Sequence, residues 1–256
     1  MGALKFSVCI EMIFSDREFL DRIDAVARAG YPAFEFWGWK QKDMDAIRAR
    51  ADAAGVRIAG FATQTDTALV NPETTDAWVE DARASVAEAQ RLGVGALIVT
   101  TGQEMPDMSR YDQHVAIVNG LKGLAPVAED AGIDLCLEPL NIIVDHKGYY
   151  LATSDEGFEV LEQVGSPRVK LLYDIYHQQI TEGNLIDRIS GNVRQIGHFH
   201  VADVPGRFEP GTGEINYANV FKRISELDYS GHIGLEFRCS TTPEEALAKV
   251  KAIAGM

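Results

Sequence analysis

The amino-acid sequence predicts an α/β protein, a single (β/α)8 barrel over residues 1–256. Three observations carry this reading. Eight short apolar runs of strand length alternate with longer segments of helical period. The helical segments repeatedly stop at a glycine that opens a β-rich run, as in GVRIAGF, GVGALIVTT and GIDLCLEP. That is a helix C-cap feeding a buried parallel strand. The 256 residues, 46% of them hydrophobic, contain enough apolar surface for a large core and no linker or low-complexity stretch to divide it. Eight strands each followed by a helix, in about 250 residues, is the arithmetic of a closed barrel. A doubly wound open sheet is the alternative; the count of eight and the lack of GxGxxG after the first strand weigh against it.

The first strand is expected at Leu4–Ile10. The helix Asp16–Ala29 follows Ser15 as N-cap and stops at Gly30. Strand Ala33–Phe36 leads to helix Lys42–Ala54, which ends at Gly55, and strand Val56–Phe61 to helix Thr74–Leu92, which ends at Gly93. The pattern repeats with Ala96–Thr100 and Ser109–Ala131 (ending at Gly132), then Ile133–Glu138 and Ser154–Val164 (ending at Gly165). Strand Val169–Asp174 is followed by a helix at roughly Asn184–Ser190. Strand Gln195–Val201 precedes Tyr217–Leu227, whose apolar face is Tyr217, Val220, Phe221 and Ile224. Strand Ile233–Phe237 and helix Thr242–Ala254 complete the count.

Composition excludes some functions. Lys and Arg number 24 against 38 Asp and Glu, a net charge of −14 that repels a phosphate backbone and argues against nucleic-acid binding. The three cysteines, Cys9, Cys136 and Cys239, stand singly in apolar surroundings and read as buried thiols of a reducing compartment. The first residues, MGALKFSVCIEMIF, lack a basic region followed by a long apolar one, and the apolar runs are too short to span a membrane. A cytoplasmic protein is expected.

In such a barrel the chemistry sits at the C-terminal ends of the strands. The late strands end in one pattern: IDLCLE at Glu138, VKLLYD at Asp174, QIGHFHV with His200 near its end, and IGLEF with Glu236 near its end. By period-two alternation Glu138 shares a face with Cys136 while Leu135 and Leu137 point to the helices, so the carboxylate faces the barrel axis. Three carboxylates gathered with one imidazole resist ionising together unless a cation joins them. Oxygen and nitrogen donors without thiolate favour one divalent ion of the Mn²⁺, Mg²⁺ or Co²⁺ kind. A lone polar residue at a strand end is ordinarily a loop cap; four in register on consecutive strands are not.

The segments LEPLN, YDIYHQQITEG, IGHFHVADVPGRFEPGTGEINY and GLEF resemble those of the hydroxypyruvate isomerase family. That family lies within the xylose-isomerase-like TIM-barrel superfamily, which also holds the ketose 3-epimerases and endonuclease IV. The resemblance is detailed in the second half of the chain and limited to a βα pattern in the first. It implies a metal-dependent isomerase of a small hydroxy-keto acid or sugar, acting by proton transfer through an enediolate. Glu138, Asp174, His200 and Glu236 would hold the metal, and Glu138 and Glu236 would also be the acid/base pair. It further implies that His177 and Arg207 contact the substrate and that the protein is a homo-dimer or tetramer. One position departs: His200 stands where hydroxypyruvate isomerases usually carry glutamine, and histidine there is the habit of ketose 3-epimerases. Isomerisation and 3-epimerisation both stay open. The remote alternative, an abasic-site endonuclease, needs several metals and early-strand histidines, whereas none of the six histidines precedes His114.

Further candidates come from position alone. Lys147, in the long segment NIIVDHKGYY with Asp145 and His146, and Arg238, just after Glu236, are candidates to meet a substrate carboxylate. The last helix's N-terminus near Thr242 is another such candidate. His198 shares a face with His200 and reads as a core histidine one layer deeper, with a supporting contact to the site as the alternative. Glu35, Trp37 and Trp39 are placed to wall the pocket.

Overall fold

Residues 2–256 are described by a computed structural model. Eight parallel strands close on themselves in chain order: β1 (Lys5–Cys9), β2 (Ala33–Phe36), β3 (Arg57–Ala62), β4 (Ala96–Val99), β5 (Asp134–Leu137), β6 (Val169–Asp174), β7 (Ile196–Val201) and β8 (His232–Leu235). The closing pair sets β8 beside β1, with Ser7 opposite Gly234. Around them run α1 (Phe19–Arg28), α2 (Met44–Ala54), α3 (Thr75–Leu92), α4 (Arg110–Ala131), α5 (Ser154–Val164), α6 (Ile175–Thr181), α7 (Leu185–Asn192), α8 (Tyr217–Glu226) and α9 (Pro243–Ala254). No helix among the described residues is long and apolar enough to cross a membrane.

The expected barrel is the observed one, and its punctuation has the expected cause. Gly132 ends α4 with φ 72°, and its neighbour Ile133 drops into the core just ahead of β5. Most element ends fall within two residues of the expected ones, and two departures are larger. α1 begins at Phe19 rather than Asp16, because Phe14 takes φ 64° and turns Ile13 and Phe14 into the core, so Ser15 caps nothing. The sequence reading also passed over α6. Its seven residues are too few for a periodic signal, and it exists because Asp174 accepts from the backbone N–H groups of Tyr176 and His177 at 2.8 and 3.1 Å.

The main core lies between strands and helices, where outward residues such as Phe34, Leu135, Leu137, Phe199 and Leu235 are all fully buried. The barrel interior is split. One side is apolar, with Ile98, Cys136 and Leu172 forming a small cluster of their own. The other side is polar, with Ser7, Glu35, His198 and His200 all at 3% exposure or less. Cys9 and Cys136 are buried thiols as expected, while Cys239 is only half-buried.

Candidate active site

Four strand ends deliver four ligand-type atoms to one point. Asp174 is the last residue of β6 and His200 the fifth residue of β7, while Glu138 and Glu236 come immediately after β5 and β8. One donor atom from each of the four lies within 4.8 Å of the others, and all four residues are buried. Nδ1 of His200 is 3.2 Å from Glu138 Oε1, 3.6 Å from Glu236 Oε2 and 3.9 Å from Asp174 Oδ2. Despite this company it has no hydrogen-bond partner. A buried nitrogen aimed into three carboxylates fits a shared divalent cation, and the oxygen and nitrogen donors suit Mn²⁺, Mg²⁺ or Co²⁺.

Asp174 and Glu236 are each held by one oxygen and turn the other to the cluster. Asp174 uses Oδ1 to cap α6 and turns Oδ2 to the cluster. Glu236 accepts from Trp37 Nε1 at 2.9 Å through Oε1, and its Oε2 faces His200 and the guanidinium of Arg207.

The electrostatics separate the two glutamates. Burial pushes the Glu138 carboxyl above the usual range, and the opposing pull of His200 does not cancel it. Burial works on Glu236 too, but His200 and Arg207 outweigh it and hold that carboxyl below its ordinary value. Burial alone would lower the His200 imidazole; Glu236, Glu35 and Glu138 reverse that and raise it well above the ordinary value. Burial lifts Asp174, against Arg207 and His200.

A cavity of about 380 Å³ opens over the cluster, lined on its apolar side by Trp37, Ala62, Ile98 and Leu140 and on its polar side by Thr100, His146 and Arg207. A wider cleft of about 600 Å³ between Ser190 and Leu227 includes no carboxylate or imidazole in its lining.

His177 and Arg207 both reach the site. His177 belongs to the first turn of α6 rather than to a loop, with Nε2 3.5 Å from Asp174 Oδ2. Arg207, at φ 58°, lays its guanidinium 5.3 Å over the Tyr176 ring and against Glu236. Lys147 and Arg238 do not reach it: both are exposed and neither lines the cavity. Arg238 instead holds the loop, its backbone N–H donating to the Arg207 carbonyl at 2.8 Å. Trp37 walls the cavity as expected, whereas Trp39 turns away to donate to Ser85. Glu35 is no wall. It lies below the site against His198 and His200, so His198 is both buried in the barrel and in contact with the site's support.

Sequence reasoning assigned no role to Asn141 or Tyr176. Asn141, within the LEPLN segment, sets its amide nitrogen 2.6 Å from His177 Nδ1. Tyr176 donates its hydroxyl to Asp145 at 2.7 Å. Their signal in the sequence was only adjacency to Glu138 and Asp174.

A closed (β/α)8 barrel gathers three carboxylates and an imidazole at its C-terminal rim, and the relatives of this chain place it among enzymes of the isomerase class. The chain belongs to the xylose isomerase-like TIM barrel family, whose model matches residues 23–253. It is 29% identical to the hydroxypyruvate isomerase of Escherichia coli strain K12, covering 95% of this chain and 97% of that protein. It is 30% identical to the 2-oxo-tetronate isomerase of Cupriavidus necator, covering 98% and 99%. Among solved structures, an AP endonuclease, family 2, from Brucella melitensis superposes with TM-score 0.91 at 24% identity over 97% of this chain and 98% of that one. A D-psicose 3-epimerase superposes at 0.82 with 20% identity over 99% and 100%. At those identities the two structures speak for the fold alone.

Proposed function

We propose that residues 1–256 act as one domain, a divalent-metal-dependent isomerase of a small hydroxy-keto acid such as hydroxypyruvate or a 2-oxo-tetronate, working by proton transfer through an enediolate. The observation that carries this is the unpartnered Nδ1 of His200 facing Glu138, Asp174 and Glu236. A divalent cation held by these four residues would supply positive charge beside the oxygens of the developing enediolate. The protein's own groups do the rest. Glu236, whose ionised form His200 and Arg207 favour, accepts the carbon-bound proton; Glu138, whose carboxyl burial pushes above its ordinary value, is the group assigned to return one. His177 Nε2–H and Arg207 donate to the substrate oxygen on which negative charge gathers. The apolar wall of Trp37, Ala62, Ile98 and Leu140 keeps water from the reacting carbon.

A second reading, ketose 3-epimerisation, is favoured by one observation: an imidazole, His200, completes the cluster. The same residues serve both reactions, which differ only in whether the proton returns to the neighbouring carbon or to the opposite face of the same one.

Removal of metal by chelation and dialysis tests the core of the proposal. Turnover is expected to vanish and to return with one equivalent of Mn²⁺, Mg²⁺ or Co²⁺ per chain. Full turnover in the chelated protein would overturn it. Glu236→Gln separates an enzyme from a barrel that only binds: turnover disappears while ion binding persists.

A further inference from the structure

Beneath the cluster the barrel holds a second polar group that the proton transfer does not use. Glu35, 1% exposed, puts its carboxylate inside the barrel from β2. Its Oε2 accepts from the Ser7 hydroxyl on β1 at 2.6 Å and lies 3.0 Å from His198 Nε2 on β7. Its Oε1 lies 2.8 Å from His200 Nε2, too oblique for a hydrogen bond as they stand, and neither atom has another partner. Burying a carboxylate this way is costly compared with apolar filling, and barrels of this kind are ordinarily filled by branched apolar side chains.

The backbone also makes room for the contact. Gly234 on β8 faces the point where Glu35 and His200 meet, and a Cβ there would come within 2.6 Å of His200 Cδ2 and collide with the Glu35 carboxylate. His200 therefore has a carboxylate at each nitrogen, Glu35 at Nε2 and the rim cluster at Nδ1. An imidazole that offers a lone pair to a cation at one nitrogen must carry its proton on the other, and an acceptor there fixes which is which.

We infer that Glu35 is a positioning residue. It holds the proton of His200 on Nε2, so that Nδ1 presents its lone pair to the cation shared with Glu138, Asp174 and Glu236. Ser7 and His198 hold Glu35 in turn. The inference rests on the metal-dependent reading above, but its test is separable from it.

The experiment is NMR of protein carrying isotope-labelled histidine, metal-free and loaded with NMR-active cadmium, with Mn²⁺ and Cd²⁺ affinities measured alongside. In the wild-type protein Nε2 of His200 is expected to carry a proton in both states, and cadmium to couple to Nδ1. In Glu35→Gln the dissociation constants for both ions are expected to rise about 10–100-fold, the usual effect of losing such a support. Gly234→Ala, which keeps the carboxylate but displaces it, should weaken both ions in the same direction. A bare Nε2 in the wild-type protein, coupling of cadmium through Nε2, or an unchanged affinity in Glu35→Gln overturns the inference. If wild-type protein takes up neither ion, the metal reading fails, and the Nε2–H resonance of His200 in the metal-free protein still tests the Glu35 contact: a shift in Glu35→Gln supports it and an unchanged resonance overturns it. If the variants do not fold, the wild-type spectra alone decide. A purely structural role for Glu35 would lower thermal stability without affecting ion affinity in the folded variant.

Discussion

Asn141 holds His177 in a single tautomer. Its amide nitrogen lies 2.6 Å from His177 Nδ1, and the amide cannot flip, because Oδ1 accepts from the backbone N–H groups of Val144 and Asp145 at 2.9 and 3.2 Å. Nδ1 therefore accepts and Nε2 carries the proton, with no partner of its own. Burial and the nearby Arg207 push the imidazole well below the ordinary histidine value, which favours the neutral form that the proposed donor to substrate requires. Replacing His177 by Phe is expected to lower kcat by about 10²–10³-fold, the usual effect of losing one such donor. Asn141→Ala, which frees the tautomer, is expected to lose about tenfold, on the scale of 1.4 kcal/mol. Steady-state kinetics of the two variants check this, and an unchanged kcat in both would remove His177 from the site.

Arg207 sets the protonation of its neighbour. Together with His200 it keeps the buried Glu236 carboxyl below its ordinary value. Taking the guanidinium away raises that value, so a higher pH is needed to ionise Glu236. Arg207→Ala is therefore expected to move the acid limb of the kcat/KM–pH profile upward at saturating metal, and to lower the plateau by about 10²-fold. Arg207→Lys restores charge but not the planar contact with Tyr176 and should recover only part of the loss. An acid limb that stays put or moves down would contradict the assignment of Glu236 as base.

At the opposite end of the barrel, His232 makes the fold acid-sensitive. Burial lowers its value from the ordinary 6.5 to about 4. Above the unfolded value both states are neutral; below it the unfolded chain takes up the proton first, so stability falls as pH drops toward the folded value. Because His232 is partly exposed, the loss is about 2 kcal/mol, less than the full shift at 1.36 kcal/mol per unit. In His232→Gln the stability difference between pH 7 and about pH 4.5, read from urea unfolding, should shrink by about that amount. An equal acid loss in variant and wild type would sink the assignment.

The barrel and its rim cluster were legible in the sequence for different reasons. Each strand ends in its own residue, and period-two alternation from Cys136 says which way Glu138 faces. Depth is not legible that way: alternation gives the face of β2 that Glu35 occupies but not its layer, so a residue beneath His200 passes for part of the wall. Amide orientation is equally hidden. Asn141 Oδ1 caps the local turn over residues 142–145, but its role comes from the amide nitrogen that this leaves facing His177 on α6, a tertiary contact with no local signature. Nearness along the chain misled in the other direction. Arg238 is two residues from Glu236, yet past the strand end the backbone turns to bond Arg207 and the side chain leaves for solvent.

The central claim is proton transfer at a carbon beside a carbonyl, and isotope exchange measures it without presuming the product. Mn²⁺-loaded protein is incubated in heavy water with hydroxypyruvate, a 2-oxo-tetronate and a panel of ketoses. Deuterium is expected to enter such a carbon in at least one compound, the carbon labelled separating isomerisation from epimerisation, and Glu236→Gln is expected to abolish the exchange. No exchange in any of these compounds, with Mn²⁺, Mg²⁺ or Co²⁺ present, would contradict the central claim.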